Sequence, residues 1–144
     1  LTAGSYKVSP FICYEVVYPD FVRRGARDAD FLVTISNDTW FGASWGPLQH
    51  LEMASMRALE NGRYMVRATN NGVSAIINEK GEIIARTQQF QAEVLRGDVQ
   101  VFTGRTPFSY WGSWPVFLFC LMILLVILKV DAEKVKTQLR RLKK

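Results

Sequence analysis

Apolar positions along the chain fall into runs of three kinds, and each predicts a different element. Tyr6 to Ile12 is a short apolar-rich run that reads as a strand, with Pro10 needing an edge or irregular position because it has no N–H to donate. Phe31-Leu32-Val33-Thr34-Ile35 is almost continuously apolar, the pattern of a strand buried on both faces. Tyr18 to Ala29 between them reads as a short helix, amphipathic through Phe21, Val22 and Ala26. The second kind of run has helical spacing: Leu48, Leu51, Ala54, Ala58 and Leu59, widened by Met53 and Met56, predict a helix from Pro47 to about Asn61. Proline suits its opening turn, and Gly62 is a natural cap at its end. Four further strands follow at Tyr64–Thr69, Val73–Asn78, Ile83–Ala85 and Ala92–Val101. The turn signals Asn70-Asn71-Gly72 and Glu79-Lys80-Gly81-Glu82 make them antiparallel hairpins. Strand, helix, buried strand, helix and then hairpins imply an α/β layered sandwich.

The third kind of run is Phe108 to Leu128, which is 21 residues without a charge. At about 1.5 Å per residue a helix of that length covers roughly 30 Å, the depth of a hydrocarbon core. Trp111 and Trp114 stand at its start, where an aromatic belt belongs, and Pro115 is tolerated near a helix start. The chain therefore divides into a folded part over residues 1–104, a transmembrane helix with an aromatic entry over 105–130, and a basic tail over 131–144.

Charge sharpens this division. The formal net charge is +5, yet residues 1–128 carry 11 basic and 11 acidic residues. All of the excess lies in residues 129–144, in Lys129, Lys134, Lys136, Arg140, Arg141, Lys143 and Lys144 against Asp131 and Glu133. A neutral folded part lacks the basic face that nucleic acid requires. Basic residues are retained on the cytoplasmic side, so the tail is expected in the cytoplasm and the folded part across the membrane, the periplasm in a bacterium. Val135, Leu139 and Leu142 recur at helical spacing in the tail, either to lie on anionic lipid or as part of a solvated stop-transfer segment.

Candidate chemistry centres on Phe11-Ile12-Cys13-Tyr14-Glu15. A strand that turns sharply into a helix lifts its turn residue out of the sheet edge, which is how a nucleophile is presented. Cys13 sits at that turn, and the alternative for it is a small buried hydrophobe at a strand end. The other cysteine, Cys120, lies in the uncharged stretch, so Cys13 is expected as a lone thiol. The amide that follows Cys13, at the helix entry, is a candidate oxyanion donor. Glu15 is either a supporting carboxylate or a first-turn residue favoured by the helix dipole. Ser36 to Gly46 reads as a loop carrying Trp40, Phe41 and Trp45, which either line a pocket or fold back into the core. Tyr14 joins those three as a candidate lining for an apolar route. Asn70 and Asn71 shape a turn, or their amides brace the pocket. His50 is the single histidine and reads as structural, and no His/Cys cluster exists to hold a metal.

Together these stretches resemble the nitrilase (carbon–nitrogen hydrolase) superfamily. The residues that carry the resemblance are Ile12-Cys13-Tyr14-Glu15, Arg67-Ala68-Thr69-Asn70-Asn71-Gly72-Val73-Ser74 and the hairpin at Gly81. Asn37-Asp38-Thr39-Trp40-Phe41-Gly42, Pro47-Leu48-Gln49-His50-Leu51-Glu52-Met53-Ala54 and the C-terminal apolar stretch narrow it to the membrane-bound apolipoprotein N-acyltransferase family. The resemblance implies the C-terminal part of an αββα sandwich facing the periplasm of the bacterial inner membrane. It implies transfer of an acyl chain from a phospholipid donor, through a thioester on Cys13, to the N-terminal amine of an apolipoprotein, with no cofactor. Glu15 matches a carboxylate needed near the nucleophile, and Trp40 a tryptophan on an active-site loop. The family's triad adds a Glu and a Lys well upstream of the cysteine, and this sequence contains neither region. Lys7 lies on the strand that leads to Cys13 and is not assigned the role. The chain thus reads as the C-terminal portion of something longer, inactive alone and with an exposed half-core. Two other readings remain: a membrane-anchored amidase of the same superfamily, and an anchored periplasmic module in which Cys13 is inert.

Overall fold

The structure, a computed structural model, describes residues 1–142. The side chains of residue 133 and of residues 135–142 lie outside the description, and with them the apolar spacing of Val135, Leu139 and Leu142. Two compact units are present, Leu1–Gly112 and Ser113–Lys144.

The first unit is a six-stranded sheet in chain order, β1 (Thr2–Ala3), β2 (Tyr6–Ile12), β3 (Phe31–Asn37), β4 (Met65–Asn70), β5 (Ala75–Ile77) and β6 (Ile83–Arg86). The four pairings from β2 to β6 split by type. β2, β3 and β4 run parallel, whereas β4–β5 and β5–β6 are antiparallel. The parallel crossovers are helical, as such connections require. A 3-10 turn (Cys13–Val17), α1 (Pro19–Gly25) and a second 3-10 turn (Ala26–Asp28) join β2 to β3, and α2 (Gly46–Asn61) precedes β4. Pro10 costs no ladder bond because β1 pairs only with Tyr6 and Lys7, which leaves β2 an edge at the proline. Gly62 ends α2 in the left-handed conformation, φ 60°, as a C-terminal cap does.

The core lies between the sheet and the two helices, built from Phe11, Val16, Val22, Leu32, Leu51, Ala54, Ala58, Met65 and Ile77. β3 is buried on one face only. Leu32, Thr34 and Ser36 point into the core, while Phe31, Val33 and Ile35 lie on the other face, with Ile35 51% exposed. The register places Val8, Pro10 and Ile12 of β2 and Val66 and Ala68 of β4 beside them, an apolar face without a second layer.

Three further expectations need correction. Ala92–Val101 forms no strand, because its alternation finds no partner edge. The α2 stripe is narrower than expected: Leu51, Ala54 and Ala58 are buried and Leu48 packs against the core, but Met53, Met56 and Leu59 are exposed, and His50, Ser55, Arg57 and Asn61 share the buried face. Arg57 is held there by donating to the Val17 carbonyl (3.0 Å) and to Glu60 (2.8 Å), so α2 turns a polar strip toward the turn that follows Cys13. The expected helix over Tyr18–Ala29 is split into α1 and a 3-10 turn.

The apolar stretch also begins later than its composition implies. Phe108 belongs to a separate short helix, α3 (Pro107–Trp111), which packs in the first unit. Thr106 caps it by accepting from the Ser109 amide. Gly112, at φ 58°, breaks the helical path, and α4 (Trp114–Leu142) restarts with Pro115 in its first turn. Within α4 the segment Trp114–Ala132 is 19 residues long with a mean hydropathy of 2.4 and is wholly unburied, so it is long and apolar enough to cross a membrane.

The narrowed stripe predicts a contrast. Leu51→Ala should destabilise the protein by about 2–5 kcal/mol, the range for a buried leucine. Met56→Ala, on the exposed face, should stay within about 0.5 kcal/mol. Denaturant midpoints of the two variants check the assignment, and equal losses would contradict it.

Candidate active site

Cys13 stands at the carboxyl end of β2, where the chain leaves the sheet and tightens into the 3-10 turn. Its φ is 51°, the left-handed region that a residue with a side chain rarely enters. Such a conformation costs of order 1 kcal/mol or more and persists only where the surroundings over-determine it. The thiol is free and half-buried. The Cys120 thiol is free and exposed on α4.

Two contacts fix the turn. Glu15 reaches back so that its Oε2 accepts from the Ile12 amide at 2.7 Å, the reciprocal half of a capping box. On the core side, His50 Nε2 lies 3.2 Å from the Cys13 carbonyl oxygen. His50 Nδ1 in turn lies 3.0 Å from Asp38 Oδ1. Asp38 is fully buried and is the hub of the site: Oδ1 also accepts from the Ser36 hydroxyl (2.9 Å), and Oδ2 accepts from Arg67 at 2.6 Å. The parallel register builds this cluster. Thr34 pairs with Arg67 and Ser36 with Thr69, so Arg67 and Ser36 lie on the same core-facing side, and Asp38 follows as β3 ends. Gly72 closes the lid. A methyl group there would collide with the Asp38 carboxylate.

The electrostatics follow from burial. Desolvation alone would push the Asp38 carboxyl up. The hydrogen bond from His50, the Arg67 charge and the Ser36 hydroxyl outweigh it and leave the group below the usual carboxylate range. Desolvation lowers the Arg67 guanidinium from its ordinary value, opposed chiefly by Asp38 and least by nearby Cys13. Arg67 remains a buried cation close to the thiol, with Nε and Nη1 lacking a hydrogen-bond partner among the described residues.

The aromatic residues divide. Tyr14, 55% exposed, meets Tyr18 edge-on (5.8 Å between ring centres) and also contacts His50 (6.5 Å). Phe41 contacts His50 at 6.3 Å, in a niche that a side chain at Gly46 would fill. Trp40 is 89% exposed and Trp45 lines a groove on the outer face of α2 with Leu48, Met53 and Met56. Asn37, Thr39, Asn70 and Asn71 tie the aromatic loop to the following turn: Asn70 donates to Asn37 and Asn71 to Thr39. The two asparagines thus brace the loop as well as shape the turn. Sequence reasoning left out Asp38 and Arg67. Their signals were an arginine inside an otherwise apolar strand and a Ser-x-Asp leaving another.

A carbon–nitrogen hydrolase family model matches residues 1–107. The chain belongs to this family. Among curated relatives it is 55% identical over 124 residues to the apolipoprotein N-acyltransferase of Pseudomonas putida, covering 86% of this chain and 25% of that protein. It is 45% identical over 119 residues to the apolipoprotein N-acyltransferase of Vibrio vulnificus, covering 82% and 24%. The chain spans about a quarter of the length of the curated relatives it matches. A solved amidase from the nitrilase superfamily, from Nesterenkonia AN1, shares the fold with a TM-score of 0.50 at 22% identity over 60% of this chain and 36% of that one. The α/β fold expected from the resemblance is therefore the observed one.

The buried cluster predicts a stability and a pH effect. Asp38→Asn leaves Arg67 buried without a counter-ion and should cost about 3–5 kcal/mol. Because the Asp38 carboxyl is depressed in the folded state, its contribution is complete above the ordinary carboxylate value and lost as pH falls through the folded one. Denaturant midpoints from neutral pH downward should therefore fall less steeply in Asp38→Asn than in the native protein.

Proposed function

We propose that the protein carrying this chain is a phospholipid-dependent N-acyltransferase that acts through a thioester on Cys13. The observation that carries the chemistry is the left-handed backbone of Cys13 at the end of a parallel strand, beside a buried cation. Strain at a thiol in that place fits a presented nucleophile better than an inert core residue. The choice of acyl transfer rests on the extensive identity to apolipoprotein N-acyltransferases.

In the first step the Cys13 thiolate attacks an ester carbonyl of the phospholipid, and the electron pair of the C=O moves to oxygen. The intermediate collapses with release of a lysophospholipid, which takes up the proton lost by the thiol, and the thioester remains. In the second step the apolipoprotein amine attacks the thioester, an amide forms, and its proton returns to sulfur. Within this chain, Tyr14 N–H is the oxyanion donor and Glu15 braces the turn. The Glu and Lys that the resemblance places upstream supply the base and a further cationic donor. Tyr14 and Phe41, which both contact His50 beneath Cys13, line the acyl route, and Trp40 stands exposed on the same loop as Phe41, while Trp45 lies apart on the outer face of α2. Exposed tryptophans suit a site that meets a lipid surface. The span Trp114–Ala132 anchors the protein in the bacterial inner membrane. The basic excess after it puts the tail in the cytoplasm and the folded part in the periplasm.

Peptide mass spectrometry of the protein after incubation with phospholipid, acceptor withheld, tests the reading. The peptide that contains Cys13 should gain the mass of a fatty acyl group, hydroxylamine should remove it, and Cys13→Ala should abolish it. A folded protein without any such adduct sinks the acyltransferase mechanism.

A further inference from the structure

We infer that His50, oriented by Asp38, is a positioning residue that sets the oxyanion donor of the acylation step. The inference rests on the proposed nucleophilic role of Cys13. His50 is 3% exposed and comes from the first turns of α2. A buried imidazole has two ring nitrogens to satisfy. This one has an acceptor at each nitrogen, the Asp38 carboxylate at Nδ1 and the Cys13 carbonyl at Nε2. Both contacts are hydrogen bonds when each ring nitrogen carries a proton. The ring is also held from the sides by Tyr14 and Phe41.

The group gripped by Nε2 is the peptide between Cys13 and Tyr14. A peptide unit is planar and trans, so its C=O and N–H point in opposite directions. The carbonyl points down to buried His50, and the Tyr14 N–H therefore points away from the buried cluster. The first amides of a helical turn have no partner within it. A donor on the carbonyl side fixes the plane of this peptide and polarises its N–H, as linked hydrogen bonds do. The same grip holds Cys13 at its φ of 51°. Arg67 completes the device by pinning the other Asp38 oxygen, which leaves the first free to orient the ring. His50 itself touches no reacting atom.

The test compares two reactions of one thiol in the protein carrying this chain, purified in detergent. p-Nitrophenyl butyrate acylates through a tetrahedral intermediate and needs the oxyanion donor. Iodoacetamide alkylates by displacement at saturated carbon and does not. In His50→Leu the acylation burst should slow by about ten- to a hundredfold, less than the loss of a direct oxyanion donor, with KM unchanged. Alkylation should stay within about threefold. His50→Gln, whose side-chain amide reaches the carbonyl alone, should recover most of the acylation rate and carries the comparison if the leucine variant fails to fold. Acylation and alkylation falling together in both variants, or neither falling, overturns the inference. Acylation of Cys13 by the nitrophenyl ester but not by phospholipid removes the lipid donor and leaves the role of His50 standing. No burst from the native protein overturns both.

Discussion

The ion pair between Asp38 and Arg67 is the contact on which the rest of the site depends. Both side chains are fully withdrawn from water, and neither charge is tolerable there alone. Once paired, the carboxylate has lone pairs left over, and the fold uses them. Ser36 takes one and His50 another, and through His50 the pair reaches the peptide of Cys13. The order of dependence runs from a central strand outward: the register of β3 on β4 sets Arg67, Arg67 sets Asp38, and Asp38 sets the histidine beneath the nucleophile. Polar chemistry is thus built into the side of the sheet that the helices cover. Water cannot compete there, and a hydrogen bond is worth more than at the surface.

The helices contribute position more than bulk. α2 carries His50 near one end and Arg57 two turns further along the same face, and both reach the carbonyls of the turn that starts at Cys13, at residues 13 and 17. A turn held at both ends from one helix cannot relax its left-handed residue without shifting that helix. Glu15 adds a third hold from within the turn. On the opposite flank, Arg63 donates to carbonyls of Ala29, Gly62 and Gly104, which gathers three loops at the far end of the strands, away from the site. Arginine serves both ends because its planar fork can satisfy several carbonyls at once.

Much of this was legible in the chain. The apolar runs located β2, β3 and β4, and Pro47 and Gly62 bracketed α2 to within a residue. Cys13 stood out because a strand pattern stops at it and a helix begins soon after. What could not be read was anything that depends on which strand lies beside which. Asp38 and Arg67 are far apart in sequence, and only the pairing of Thr34 with Arg67 brings them together. The width of the apolar stripe on α2 differs from its sequence pattern for a related reason. Its methionines fit an apolar stripe, but the buried face had to accommodate His50 and Arg57, whose partners lie on another element. Ala92–Val101 has strand-like alternation, yet alternation gives no edge to pair with. Gly112 hid the start of the apolar helix because composition does not register a single positive-φ residue that ends α3.

The left-handed backbone at Cys13 also limits which nucleophiles this scaffold can carry. Serine, with an unbranched Cβ, can occupy the same φ at a similar cost, and glycine can do so at none. Threonine cannot, because a branched Cβ in that region clashes with its own backbone. The turn therefore filters chemistry by shape before reactivity is considered: thiol and primary alcohol are admitted, and a secondary alcohol is shut out. A swap of nucleophile on this frame is confined to one that keeps the reactive atom on a simple methylene.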